Sequence, residues 1–224
     1  MSQDFDFSMV IASAVHDMKN SLGMMLHSLE ELREEWTESS DSDRFSVLQY
    51  EAQRVHGDLV QLLGLYHLQQ KTLSVHTEEY FLPDFLDEQL ARHEPLLAGR
   101  GIAADFQAED VAGYFDHDLV AGVLNNTLNN AIRYTHKRIR LTGRAEDGYT
   151  VLSVEDDGRG YPQQMLDAPE TIETKIDFST GSTSLGLYFA ARVARMHTEG
   201  DREGRIKMRN GGELGGGIFE IWLP

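Results

Sequence analysis

The stretch Ser13–Leu22, "SAVHDMKNSL", sets His16 beside Asp17, with Asn20 four residues after the histidine. An exposed imidazole next to a carboxylate can act as a nucleophile, because the carboxylate holds the ring tautomer and accepts its proton. Residues four apart on a helix are neighbours, so Asn20 sits one turn from His16, where its amide can orient a water. The polar face of any amphipathic helix can carry the same residues. The pair therefore gains meaning only from what accompanies it.

Three further clusters carry chemistry. "NNTLNNAIRYT" places Asn126 and Asn130 four apart on one helical face. Two amide oxygens at that spacing can coordinate a hard cation such as Mg²⁺, which keeps waters and substrate phosphates as its other ligands. Asparagine is a poor helix former, and four within six residues require a reason. "VEDDGRGYP" runs a strand into Asp156, Gly158 and Gly160. A buried carboxylate at a strand end can accept hydrogen bonds from a purine amino group, and the glycines let a backbone approach closely. In "STGSTSLGLYFAARVA", Ser179–Ala194, a Gly/Ser/Thr-rich segment leads into a helix. Free N–H groups and the helix dipole there favour phosphate oxygens. No Gly-Lys-Ser/Thr follows the glycines, so this is not a P-loop. Between the last two clusters, Gln163 to Phe178 has no strong pattern and reads as a lid over a nucleotide.

These clusters need elements to position them. Ile11, Val15, Met18, Leu22, Met25, Leu29, Leu32 and Trp36 step alternately by four and three, an a/d heptad seam. "TESSDSD", Thr37–Asp43, breaks it, and Leu48, Ala52, Val55, Leu59, Leu62 and Tyr66 repeat the rhythm. Two such helices joined by a short loop form an antiparallel hairpin. Leu26, Leu63 and Leu65 widen the apolar stripe beyond a two-helix seam, which predicts a homodimeric four-helix bundle. His16, Asp17 and Asn20 fall at b, c and f, pointing away from the seam.

After about Leu73 the heptads stop. Strand-like alternation in "TLSVHTEEYFL" and "IAADFQAE" brackets a helix that starts near Pro83 and ends in Gly99 and Gly101. Asp116 to His136 reads as a helix. "KRIRLTGRAEDGYTVLSVEDD" reads as a hairpin turning at Glu146-Asp147-Gly148. A helix over "SLGLYFAARVARMH" and two closing strands in "GRIKMRNGGELGGGIFEIWLP" follow. Strands and helices mix without regular β-α-β alternation. The expectation is an α+β sandwich, helices layered over a mixed sheet, in residues 73–224, preceded by the helical hairpin in residues 1–72.

Composition narrows the function classes. The 224 residues carry a formal net charge of −17, which disfavours nucleic acid and anionic membrane surfaces as partners. There is no cysteine, which excludes disulfides, thiolate metal sites and cysteine nucleophiles. "MSQDFDFSMV" lacks the basic region of a secretory signal, and no run approaches a membrane span of roughly 18 apolar residues, so a cytoplasmic location is expected.

The order of motifs completes the reading. "HDMKN", "NNTLNNAIRYT", "DDGRG" and "GSTSLGL" resemble the H, N, G1 and G2 boxes of bacterial two-component sensor histidine kinases. The ATP-binding domain of that family is shared with gyrase and heat-shock chaperone ATPases. The resemblance runs from about Ser8 to Pro224. It implies that His16 is the phosphoacceptor, Asp17 the adjacent acid/base, and Asn20 the residue that helps water hydrolyse the phosphorylated response regulator. It further implies that Asn126 and Asn130 hold Mg²⁺ against ATP, with Arg133 near the phosphates and Tyr134 beside the nucleotide. Asp156 would read adenine above Gly158 and Gly160, and Ser182, Thr183, Leu185, Gly186 and Leu187 would form the G2 wall. Ser184 stands where the family usually has glycine, Tyr161 where it has a small aliphatic, and Thr127 where it has leucine. No phenylalanine-rich motif precedes the lid, although Phe178 lies just before G2.

The resemblance implies autophosphorylation of His16 and transfer to an aspartate of a receiver domain, with possible phosphatase action on the same regulator. His16 comes so early that input from a separate sensory or regulatory protein is expected. The alternative is a histidine phosphotransfer relay whose degenerate C-terminal domain does not use ATP. Asn126, Asn130 and "DDGRG" speak against it, since a relay needs no Mg²⁺ site.

Overall fold

The computed structural model describes residues 74–166 and 182–224, together with residues 15, 18, 22–26, 52, 55, 57 and 59. The chain divides into two compact units, Met1–Leu73 and Ser74–Pro224. In the first unit every described residue is helical. Val15 and Ala52 are buried, whereas the seam residues Met18, Met25 and Val55 are exposed in the single chain.

The second unit runs β1 (Glu78–Phe81), α1 (Leu82–Arg100), β2 (Ala103–Ala108), β3 (Ala112–Phe115), α2 (His117–Tyr134), β4 (Arg138–Glu146) and β5 (Tyr149–Asp156). It continues with α3 (Gln163–Leu166), α4 (Ser182–Met196), β6 (Thr198–Glu199), β7 (Arg202–Glu203), β8 (Arg205–Asn210) and β9 (Gly217–Leu223). A five-stranded sheet has the order β2-β4-β5-β9-β8. Only the β2–β4 pair is parallel, so the sheet is mixed.

Local chemistry explains the element ends. Pro83 lies in the first turn of α1, where its missing N–H costs nothing. Gly101 ends that helix in the left-handed conformation, φ 63°. Asp116 caps α2 by accepting from the Leu119 N–H at 3.1 Å. Asp147 and Gly148 both have positive φ, 51° and 75°, as a two-residue type I′ turn between twisted strands demands. The strand expected across "TLSVHTEEYFL" is confined to Glu78–Phe81. It does not alternate in burial, and it pairs with the four-residue β3, which does.

Strand alternation sends two different rows of side chains to the two sheet faces. Leu141, Val154 and Phe219 are in register on one face, and Gly143, Leu152 and Ile221 continue it. All are buried, and Gly143 approaches Leu82 and Leu86 of α1. The opposite face carries Trp222, whose ring lies beneath Arg144, Arg205 and Lys207, with Lys207 Nζ 3.7 Å from the ring centroid. Buried Glu220 pairs with Arg144 at 3.2 Å there. The charged heads themselves lie over the indole face, as cation–π contacts require.

Asp157 fixes the connection between α2 and β4. Its carboxylate accepts from Thr135 Oγ1 at 2.5 Å, His136 N at 2.8 Å and Lys137 N at 3.0 Å. Burial pushes this carboxyl up, but the donors outweigh burial and hold it well below the usual carboxylate range. A carboxyl depressed by folding stabilises above its unfolded pKa of about 4 and loses that contribution as pH falls through the folded value. Asp157→Ala should therefore cost about 1.5–3 kcal/mol at pH 7. The difference between variant and wild type should shrink as pH drops below about 4. Calorimetric melting across pH checks this, and a pH-independent difference would refute it.

Candidate functional site

A cavity of about 260 Å³ opens where α2, the end of β5 and the start of α4 converge. Its wall includes Asn126, Asn130, Tyr134, Asp156, Gly160 and Leu187, with Thr127, Arg159, Tyr161, Met165, Gly217 and Phe219. It approaches the roughly 300 Å³ at which ligand clefts usually begin. Its lining mixes apolar side chains with a few polar ones aimed inward, the usual composition of such clefts.

Asp156 is the acidic group of this cavity, which Arg159 also borders, and it is only 9% exposed. One carboxylate oxygen, Oδ1, accepts from Gly158 N at 2.7 Å and Gly217 N at 3.3 Å. Burial pushes the carboxyl up against the pull of those two donors. Oδ2 has neither of these two bonds and is the oxygen through which a ligand amino group can compensate the desolvated charge. Gly158 must approach this closely: a Cβ there would lie 2.3 Å from the Tyr134 carbonyl oxygen.

The asparagine-rich helix resolves into two faces. Asn126 and Asn130 line the cavity. Asn125 and Asn129 face away from it: Asn129 Nδ2 donates to Asn125 Oδ1 at 3.3 Å, and His93 Nε2 of α1 lies 3.0 Å from that oxygen. Thr127 is buried and its hydroxyl donates to the Val123 carbonyl at 2.9 Å, so Thr127 brings no unpaired hydroxyl to the cavity wall. Gly186, within α4, lies against Asn126: a Cβ there would come 2.0 Å from Asn126 Nδ2.

Arg133 does not line the cavity. It is exposed, and its guanidinium stands 5.6 Å from the Tyr134 ring, with Arg159 5.2 Å from the same ring. Tyr161 takes the position where the resemblance implies an aliphatic, and its ring borders both Gly217 and the cavity. Ser182, Thr183, Ser184 and Leu185 have helical backbone, but their side chains lie outside the described residues, as do His16, Asp17, Asn20 and the lid residues 167–181. Residues 163–166 of the expected lid form α3.

The β8–β9 loop is a part of the site that the motifs did not mark. Gly216 N donates to the Asp156 carbonyl at 3.0 Å, and Asn210 engages Tyr161. "NGGELGGG" was legible only as a turn between two strands. Its glycine density was the available signal for close backbone approach.

Among the described residues no cluster of three or more His, Asp or Glu side chains is arranged to hold a metal ion. A cation here would rely on Asn126, Asn130 and ligand phosphates. Neutral amide oxygens bordering one cavity are hard donors that fit Mg²⁺ in that role.

Residues 115–224 match the family model described as histidine kinase-, DNA gyrase B-, and HSP90-like ATPase. Sensor protein BceS of Halalkalibacterium halodurans is 27% identical over 186 residues, covering 80% of this chain and 53% of that protein. Sensor histidine kinase CpxA of Escherichia coli is 25% identical over 221 residues, 96% of this chain and 46% of that protein. The chain spans about half the length of these curated relatives. Among solved structures, Acinetobacter baumannii histidine kinase AdeS aligns with TM-score 0.61 at 18% identity over 91% of this chain and 95% of that one. Full-length ShkA in complex with AMPPNP aligns with TM-score 0.62 at 21% identity over 94% of this chain and 44% of that one. At these identities the structures show the fold.

The contact of Gly186 with Asn126 yields a double-mutant test. Gly186→Ala should destabilise by about 1–3 kcal/mol through overpacking. In an Asn126→Ala background the cost should fall by more than about 0.5 kcal/mol, because the atom struck is gone. Urea unfolding of the four proteins measures the coupling, and simple additivity would refute the contact.

Proposed function

We propose that this chain, a member of the two-component sensor histidine kinase family by its ATP-binding domain and its relatives, phosphorylates His16 from ATP and passes the phosphoryl group to an aspartate of a response-regulator receiver domain. The observation that carries this reading is the cavity that sets a desolvated Asp156 among Asn126, Asn130 and Leu187. A relay protein that does not use ATP needs no such cavity.

In this reading Asp156 accepts a hydrogen bond from the adenine amino group, and Gly160 and Leu187 border the base. Asn126 and Asn130 hold Mg²⁺, which when bound neutralises charge on the triphosphate. Phosphoryl transfer demands positioning and charge neutralisation above all. A ring nitrogen of His16 attacks the γ-phosphorus. The N–P bond forms as the bond to the β–γ bridging oxygen breaks, ADP leaves, and the ring proton passes to Asp17. Asn20 orients water for hydrolysis of the phosphorylated regulator, which makes the protein its phosphatase as well. The exposed seam residues Met18, Met25 and Val55 support a homodimer in which a second hairpin covers them. Among the described residues no helix is long and apolar enough to cross a membrane. ATP and receiver domains are cytoplasmic, and the reaction is proposed to take place there.

Incubation with γ-labelled ATP and Mg²⁺ should label wild type, and neither His16→Gln nor an EDTA-treated sample should take up label. Label passing on to a receiver domain completes the test. Equal labelling of His16→Gln, or none in wild type alongside no ATP-dependent thermal shift, would overturn the reading.

A further inference from the structure

We propose that Asn210 is a positioning residue for the purine pocket: its amide clamps the backbone of Tyr161 and so sets where the glycine loop stands beneath bound nucleotide. The inference rests on the function proposed above and goes beyond it, since Asn210 does not line the cavity and lies outside all four motifs.

Asn210 is the last residue of β8, 49 positions from Tyr161 in sequence. Its Oδ1 accepts from Tyr161 N at 2.7 Å, and its Nδ2 donates to Tyr161 O at 2.8 Å. Both ends of the side-chain amide are thus engaged by one residue, which fixes which way the amide points and locks the peptide groups on either side of Tyr161. The neighbouring Gly160 has φ 75°, and a Cβ on it would lie 2.7 Å from Asn210 Cγ. The loop can lie this close to Asn210 only because residue 160 lacks a side chain.

The same β8–β9 connection grips the other end of the loop. Gly211 N donates to Gly216 O at 2.8 Å, closing the turn, and Gly216 N donates to Asp156 O at 3.0 Å. Residues 156 to 161 therefore hang between two attachments to one turn. Asp156 is one end and Tyr161 the other, and Gly160 and Tyr161 border the cavity between them. The Asp156 end is also held by the β4–β5 ladder, where it pairs with Ile139. The Tyr161 end has no ladder, so the Asn210 clamp is the contact that sets its height. Asn210 and its hydrogen bonds are exposed, where such bonds add little to global stability. Their effect should appear in nucleotide affinity, because binding to a loop not already in place must order it first.

The test is autophosphorylation of the full chain against ATP concentration. Asn210→Ala should raise the KM for ATP at least fivefold while the rate at saturating ATP stays within twofold. Its melting temperature without nucleotide should stay within a few degrees of wild type. Arg209→Ala, on the same strand and paired with Glu220, should leave KM unchanged. An unchanged KM in Asn210→Ala, or an equal rise in Arg209→Ala, overturns the clamp. If Asn210→Ala does not fold, Asn210→Asp keeps the acceptor and loses the donor. It should raise KM at least twofold, and an unchanged KM overturns the proposal. Wild type that neither labels nor shows an ATP-dependent thermal shift would instead overturn the function on which the clamp rests, and the clamp with it.

Discussion

A carboxylate taken out of water is the constraint around which the ATP-binding domain is arranged. Desolvation disfavours the charge on Asp156, and only directed hydrogen bonds can offset that. Two backbone N–H groups supply part of the compensation, from Gly158 directly downstream and from Gly217 at the start of the neighbouring strand. That second donor arrives because β9 lies antiparallel to β5 in the middle of the sheet. It can come close because residues 216 and 217 have no side chains: a Cβ on Gly216 would lie 2.5 Å from Asp156 Oδ1. The compensation remains incomplete, and the carboxyl stays above its ordinary range. A ligand that offers a donor is then bound by a group prepared for it.

Three consecutive acids show how a strand end distributes roles. Glu155 points to the opposite sheet face and accepts from Leu214 N at 2.7 Å, holding the β8–β9 loop. Asp156 points to the helix side and borders the cavity. Asp157, just past the strand, holds the turn that follows α2. The alternation of strand side chains separates the first two, and the end of the ladder frees the third. The loop, the pocket and the helix that carries Asn126 and Asn130 are thus tied to one tripeptide.

Much of this was legible in the chain. The capped helix from His117, the Asp147-Gly148 turn and the helix ended by Gly101 follow from local rules about caps and positive φ, which tertiary contacts here reinforce. Asn126, Asn130 and Asp156 were legible as candidates because their spacing and setting imply shared faces and strand ends, and they border one cavity. Less legible were relations between distant segments. Nothing local distinguishes Asn125 from Asn126 until His93, on another helix, lies beside the first. Nothing in "KMRNGG" announces that Asn210 meets Tyr161. β3 is only four residues long, although they alternate exposed and buried. Asp157, inside a motif implied to bind nucleotide, does structural work that depends on where α2 ends.

In the proposed function the desolvated Asp156 carboxylate recognises the amino group of a purine. Binding of ATP should be compared with binding of purine riboside triphosphate, which lacks the 6-amino group, by calorimetric titration of the full chain with Mg²⁺ present. A site built around one acceptor should bind the deaminated nucleotide at least tenfold more weakly, because that buried acceptor is then left without a partner. Equal affinity for the two nucleotides would contradict the claim.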